Sequence, residues 1–201
     1  PHQNAFITSP NGVGLTKLGT LGGTSSGAIG INNSGQVVGV IGSAIEQRAF
    51  ITGPNGEGMT YLGPSAHWTY PTHINDSGQV IGATKDPESG DAPFSTFITG
   101  PNGAMPWGGI SGRVSAINNS GQVIANYYEY SYSFDRYEFK YAFFTGPNGV
   151  GMTKLGTLGG QNTYASGIND SGQVVGRSIF EGNLTEHAFI TGPNGVGMTD
   201  L

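Results

Sequence analysis

The phrase Ala-Phe-Ile-Thr-Gly-Pro-Asn-Gly recurs five times in this chain of 201 residues, from Ala5, Ala49, Thr96, Ala142 and Ala188, never with more than one residue changed. The offsets are 44, 47, 46 and 46 residues. Between the copies stands a second phrase, Ile-Asn-Asn/Asp-Ser-Gly-Gln-Val-Val/Ile-Gly, beginning at Ile31, Ile74, Ile117 and Ile168, with Ala for the last Gly in the third copy. A period of this length marks a solenoid, a propeller or an array of repeats.

Each phrase reads as a β-hairpin. In the first, an apolar run meets Gly-Pro-Asn-Gly before Met-Thr-Lys-Leu; proline pre-sets φ at the turn and Asn or Gly tolerates positive φ after it. In the second, Asn/Asp-Ser-Gly ahead of Gln-Val-Val matches a type I turn closed by a glycine bulge. Helical spacing of apolar residues is missing, and 36 glycines with 11 prolines interrupt every window. We call the first hairpin a–b and the second c–d. Together they make a four-stranded meander of about 45 residues, the size of one propeller blade. The expected fold is therefore all-β: a repeat-built β-propeller of four and a half repeats, five-bladed or an incomplete ring, with a β-solenoid or array as the alternative. Small residues such as Ala28, Gly30, Ala165 and Gly167 suit crowded strands near a propeller axis.

These phrases, read in order with the intervening Leu-Gly-Thr-Leu-Gly-Gly, resemble the HAF repeat of probable extracellular bacterial proteins. The naming triplet is intact at His187-Ala188-Phe189, while the other copies carry Asn4-Ala5-Phe6, Arg48-Ala49-Phe50, Ser95-Thr96-Phe97 and Tyr141-Ala142-Phe143. The resemblance covers essentially the whole chain. It implies a secreted or surface-displayed β-repeat protein without assigned chemistry. The third repeat departs most, with Met105-Pro106-Trp107-Gly108-Gly109 in place of the longer connection, so a shortened or bent outer strand is expected there.

The count carries its own consequence. The expected a–b hairpins at 5–18, 49–62, 96–107, 142–155 and 188–201 outnumber the c–d hairpins at 27–41, 72–84, 114–134 and 165–179 by one. If a–b is the inner pair, a five-bladed ring lacks two strands. If c–d is inner, four whole blades run from about Thr24 to Leu201 and the hairpin at 5–18 is left over. In both phases, within one domain of 1–201, an unpaired strand edge results. Such an edge is a template for another chain, so the surplus hairpin either completes a blade in a neighbouring copy or belongs to a longer repeat protein of which this sequence is a piece cut out of phase.

Composition narrows the function. Eight basic residues against thirteen acidic ones give a net charge of −5, without a Lys/Arg run to neutralise phosphates, which argues against nucleic acid. Cysteine is absent, excluding disulfides, thiolate metal sites and cysteine nucleophiles. No apolar stretch approaches the ~18–20 residues of a membrane span, and Pro1 opens no signal-peptide pattern.

The least repetitive segment is Asn126–Phe144. Tyr128, Tyr130, Tyr132 and Phe134 alternate, as do Tyr137, Phe139, Tyr141 and Phe143, with Asp135-Arg136 between them. Pairing 134 with 137, 132 with 139, 130 with 141 and 128 with 143 places eight rings on one face of a hairpin. Asp-Arg is a poor two-residue turn, so a longer loop would slip that register. The wall is either extra core or an exposed platform for a protein partner or a glycan.

Other candidates are thinner. Asp86, Glu88 and Asp91 offer three carboxylates to a cation such as calcium, without the EF-hand order. Asn32, Asn75, Asn118, Asn169 and Asn183 head glycosylation triplets, the first four being accounted for by turn chemistry. His2, His67, His73 and His187 lack metal-ligand spacing, and no nucleophile elbow or phosphate loop of the right form occurs. His67-Trp68-Thr69-Tyr70 is the most enzyme-like patch and reads as a packed loop. The resulting expectation is a non-enzymatic extracellular structural or adhesive protein without cofactor. It would self-associate into a filament or polymer through its open blade edge and the aromatic hairpin. The alternatives are a carbohydrate-binding propeller and, third, an enzyme with a pocket at the axis.

Overall fold

The computed structural model describes residues 3–42, 47–63, 68–85, 95–104, 108–110, 112–131, 136–182 and 185–201. Among these the protein is all-β, with antiparallel strands, short 3-10 turns and no α-helix, hence none long and apolar enough to cross a membrane. The chain divides into two compact units, Pro1–Gly108 and Gly109–Leu201.

The first unit opens with a two-stranded sheet, β1 (Ala5–Ile7) and β2 (Thr16–Gly19). Sheet I follows as a meander of β3 (Ser26–Ile31), β4 (Val37–Gly42), β5 (Gln47–Thr52) and β6 (Met59–Tyr61). Sheet II contains β7 (Trp68–Ile74), β8 (Val80–Lys85), β9 (Ser95–Ile98) and the short β10 (Gly108–Ile110), in which the division between the units falls. In the second unit, sheet III is β11 (Arg113–Ile117), β12 (Val123–Ser131), β13 (Arg136–Thr145) and β14 (Met152–Lys154). Sheet IV is β15 (Gly159–Ile168), β16 (Val174–Phe180), β17 (Glu186–Ile190) and β18 (Thr199–Asp200). Every sheet thus runs c-d-a-b, and the a–b hairpin β1–β2 stands without a c–d partner. Trp68, Thr69 and Tyr70, expected in a packed loop, instead lie in strand β7, where the buried Thr69 hydroxyl accepts a 2.7 Å hydrogen bond from the Ala49 amide.

The repeat extends to the register. All four c–d ladders carry a bulge at the same place, between Ala28 and Gly30, Pro71 and His73, Val114 and Ala116, and Ala165 and Gly167. One extra residue there bends and twists the c strand. In three sheets the d strand then presents a glycine opposite the Phe of the a strand: Gly39 to Phe50, Gly82 to Phe97, Gly176 to Phe189. A Cβ on Gly39 would stand 2.7 Å from the Phe50 ring, so the ring lies directly on the glycine backbone. All three Phe are fully or almost fully buried. Phe50 packs with Ala5, Val37 and Ile41 against β1–β2, and Phe97 with Val38, Ile51, Leu62 and Val80 between sheets I and II. Phe189 packs with Ile124, Phe144, Leu155 and Val174 between sheets III and IV. The core is a set of thin layers, one ring anchoring each of the first two and Phe144 joining Phe189 in the third.

The turns at one end of the sheets are bonded to each other. In the c–d turn, Asn32 Oδ1 accepts from the Ser34 and Gln36 amides, and the Gly35 amide donates to the Asn32 carbonyl with φ of 75° at Gly35. That is the expected type I turn with its glycine bulge. The a–b turn of the same sheet sits on it: Asn55, held left-handed at φ 54°, donates its amide to the Ser34 carbonyl, and Gly56 donates to Gly35. Asn102, Asn148 and Asn194 repeat both the left-handed φ and the bond to their own c–d turn. Thr52, Thr99, Thr145 and Thr191 bridge the strands beneath, each hydroxyl accepting from the first amide of its d strand.

Neighbouring sheets in a unit are joined at these turns. Asn32 Nδ2 donates to the Asn75 carbonyl at 3.0 Å, and Asn118 Nδ2 to Asn169 at 2.9 Å. Asn33 donates its amide and its Nδ2 to the two carboxylate oxygens of Asp76, at 3.0 and 2.8 Å. Asn119 does the same to Asp170, at 2.9 and 3.1 Å. The alternation Asn33, Asp76, Asn119, Asp170 is therefore a donor–acceptor code within each unit. Buried Asn118 makes four of these bonds, so Asn118→Ala is expected to lower stability by about 1–3 kcal/mol, the cost of stranding its partners. A urea midpoint equal to that of the parent would exclude this role. The turn asparagines at 32, 75, 118 and 169 also donate their Nδ2 to Gln Oε1, so these side chains serve the fold. The triplet at Asn183 lies outside the described residues.

Candidate functional site

Two surfaces depart from the repeat and are built differently: the aromatic strand pair of sheet III and the open edge of β1.

The aromatic strands β12 and β13 form the long hairpin that the alternating rings predict, but in another register. The structure pairs Ala125 with Phe143, Tyr127 with Tyr141, Tyr128 with Phe139, Tyr130 with Tyr137 and Ser131 with Arg136. A bulge at Lys140 breaks the uniform ladder, and Tyr128 stands opposite Phe139 rather than Phe143, and Tyr130 opposite Tyr137 rather than Tyr141. As far as Tyr127 the register is that of the repeat, with Ala125 opposite Phe143 as Gly39 is opposite Phe50, and Asn126 ties the strand to the next sheet. Its side-chain amide donates to the Ala165 carbonyl at 2.9 Å and accepts from the Ala165 amide at 2.8 Å, substituting for a strand against β15. With Asn126 turned to sheet IV, alternation sends Tyr128 the same way and Tyr127 to the opposite face.

The single wall is thus divided. On one face Tyr127 stacks on Tyr141 with centroids 4.9 Å apart and planes 3° apart, and Phe143 meets Tyr141 edge-on at 5.3 Å. Lys154 Nζ stands 4.2 Å from the Tyr141 centroid, a cation–π contact. On the other face Tyr128 meets Tyr164 of sheet IV, and burial beside that second phenol holds the Tyr128 hydroxyl above the ordinary tyrosine pKa. All four described rings, Tyr127, Tyr128, Tyr141 and Phe143, are half-buried. The side chains of Tyr130, Tyr137 and Phe139, and the whole of Tyr132 and Phe134, lie outside the described residues. Tyr141 already spends its ring face on Tyr127 and Lys154, so a sugar stacking there would have to displace the chain's own contacts.

Ala125 explains why Phe143 differs from its counterparts. It replaces the glycine of the other d strands, and its methyl occupies the place where the ring would lie. Phe143 is accordingly half-buried and leans on Tyr141.

In three repeats the residue ahead of Ala-Phe faces the residue ahead of the Leu that closes the a–b hairpin, and these pairs are complementary. The Arg48 guanidinium lies 3.8 Å over the Tyr61 ring, Lys154 covers Tyr141, and His187 Nδ1 contacts the Asp200 carboxylate at 3.0 Å. His187 also stacks on Phe180 at 4.9 Å. The intact His-Ala-Phe is one solution of a cross-strand pairing that Arg–Tyr and Tyr–Lys satisfy elsewhere. Sequence reasoning passed over these pairs; the matching changes at 48 and 61, 141 and 154, and 187 and 200 are the signal that finds them.

The edge of β1 is the second surface. In each four-stranded sheet the a strand has d on one side and b on the other, whereas β1 has only β2. Phe6 is 53% exposed, against 0% for Phe50 and Phe189 and 1% for Phe97. The hairpin is nevertheless fixed in place. The Ser26 hydroxyl accepts from the Ala5 amide at 2.9 Å, the Ser26 amide donates to the Gln3 carbonyl at 2.9 Å, and Ile7 and Leu18 pack against sheet I. Its turn differs as well. Gly12 donates to Ser9 in a simple β-turn, and Asn11 does not adopt the left-handed φ shared by Asn55, Asn102, Asn148 and Asn194.

Among the described residues no three acidic or imidazole side chains gather as metal ligands, while Asp86, Glu88 and Asp91 lie outside those residues. His2 and His67 lie outside them too, and His73 sits on β7 of the first unit and His187 on β17 of the second. Neither a protein-family model nor a curated protein matches this chain.

Proposed function

We propose that the protein is a non-enzymatic structural or adhesive repeat scaffold that self-associates into a polymer or filament through the open edge of its first hairpin, aided by the aromatic strands of sheet III. The same reading takes the four-stranded meanders as propeller blades of the HAF-repeat kind, displayed outside the cell or on its surface. The observation that carries it is Phe6, the one described Ala-Phe ring left mostly in solvent, on a strand whose hydrogen-bonding edge is preformed and held on a packed sheet. An apolar ring beside an open strand edge is a surface on which other chains pair unless it is guarded. Neither Pro nor Lys stands within β1 to guard it.

Light scattering at two protein concentrations tests this. Concentration-dependent oligomers are expected, diminished by Phe6→Ser and further by Tyr127→Ser with Tyr141→Ser. A monodisperse 20.8 kDa particle at both concentrations, unchanged by these substitutions, would overturn self-association.

A further inference from the structure

We infer that Trp68 and Tyr70 on β7 are a binding platform for a glycan, a run of linked pyranose rings laid across two exposed aromatic faces. The site uses neither β1 nor the aromatic strands of sheet III, so it stands or falls separately from self-association. Two residues apart on one strand, the side chains share a face and lie about 7 Å apart along it. Thr69 and Pro71 on the opposite face are buried, and the Thr69 hydroxyl takes the Ala49 amide of sheet I. Trp68 is thus left 38% exposed and Tyr70 45%.

Exposure is one observation; the second is that the chain itself makes no use of these rings. Tyr61 carries Arg48, Tyr127 stacks on Tyr141, Tyr141 carries Lys154, and Tyr164 carries Arg177 and meets Tyr128. Among the described residues no such partner faces either ring, the indole N–H or the Tyr70 hydroxyl. Nor does the repeat account for them. The place of Tyr70, opposite Ala83, is held by Gly27 opposite Val40, Arg113 opposite Asn126 and Tyr164 opposite Arg177. Ala83 is small, which leaves the Tyr70 ring uncovered across the ladder.

A sugar suits this surface. An aromatic face takes the apolar CH face of a pyranose, and the hydroxyls around its rim need polar groups at the ring edges, which the indole N–H and the Tyr70 hydroxyl provide. β7 and β8 together hold one lysine, Lys85 opposite Trp68, and no carboxylate, so nothing on them calls for a cationic partner. A polypeptide strand is the poorer occupant, although β7 is an edge strand of sheet II. Pro71 has no N–H to give, and the bulge between Pro71 and His73 breaks the ladder that an added strand would need.

The chain has two tryptophans, so the full chain carrying Trp107→Phe reports on Trp68 alone by its emission. The probes are cellohexaose, chitohexaose, mannohexaose and xylohexaose, each with its monosaccharide. A saturable shift with at least one hexamer is expected, about tenfold tighter or more than with its monosaccharide, since one sugar covers only one ring. Tyr70→Ser should weaken that binding about tenfold, whereas Tyr70→Phe, which keeps the ring, should stay within about threefold. Calorimetry should show no binding to Trp68→Ala, with circular dichroism unchanged because the exposed indole closes no core. A flat response to every hexamer would overturn the platform, and oligomers lost on Trp68→Ala alongside it would hand the rings to a protein contact. Hexamer binding that survives Trp68→Ala with Tyr70→Ser would place the sugar elsewhere and overturn it equally.

Discussion

Gly39→Val is expected to destabilise the first unit by about 3 kcal/mol or more, the upper range of overpacking, whereas Gly27→Ala in the same sheet should stay within about 0.5 kcal/mol of the parent. The two glycines lie on paired strands, Gly27 opposite Val40 and Gly39 opposite Ala28. A Cβ on Gly39 would be driven into the Gly27 carbonyl oxygen and would stand 2.7 and 2.8 Å from two carbons of the Phe50 ring. Neither neighbour yields cheaply, because Gly27 is held in the β3–β4 ladder and Phe50 is closed in by Ala5, Val37 and Ile41. A Cβ on Gly27 would meet nothing within 4 Å, and its backbone lies outside the left-handed region. Gly39→Ala should fall between them with a partly displaced ring, the arrangement that Ala125 and Phe143 already show in sheet III. Urea unfolding followed by circular dichroism checks the series. Equal midpoints for Gly39→Val and Gly27→Ala would mean that the ring does not rest on the strand.

What the sequence reveals is whatever one repeat decides alone. The turn at Asn32-Asn33-Ser34-Gly35 needs a positive φ at its glycine and an Asx oxygen at its head, and both are written in the residues. The hairpins, their spacing and the surplus a–b hairpin follow from the same local signals. What lies between repeats is not legible in that way. The phase of the sheets is set by which neighbour each hairpin meets, and the Asn33–Asp76 and Asn119–Asp170 clamps appear only once two turns are side by side. The register of the aromatic strands is not legible either. Alternation in residues 126–144 is compatible with several registers, and the one adopted continues the pairing shared by the other sheets as far as Tyr127, where a bulge shifts it. Tyr127 consequently takes the place opposite Tyr141 that simple alternation assigns to Tyr130. The exposure of Phe6 was legible only as a missing partner, not as a bare ring.

Phe97→Ala is expected to cost about 3–5 kcal/mol, and Phe6→Ala less than about 1 kcal/mol, although both rings occupy the same place in the repeat. Phe97 is 1% exposed, rests on Gly82 and packs with Val38, Ile51, Leu62 and Val80, so its removal leaves a cavity where two sheets meet. The walls of that cavity are two hydrogen-bonded ladders, which limits how far they collapse into it. Phe6 is on a strand whose buried side is taken by Ala5 and Ile7, and it projects to the side that β1 leaves open, so truncating it removes little that folding has gathered. Denaturant unfolding of the two variants at low protein concentration separates the cases. A large cost for Phe6→Ala under those conditions would show that the ring is covered in solution by the chain itself, and the open edge would lose its standing as a binding surface.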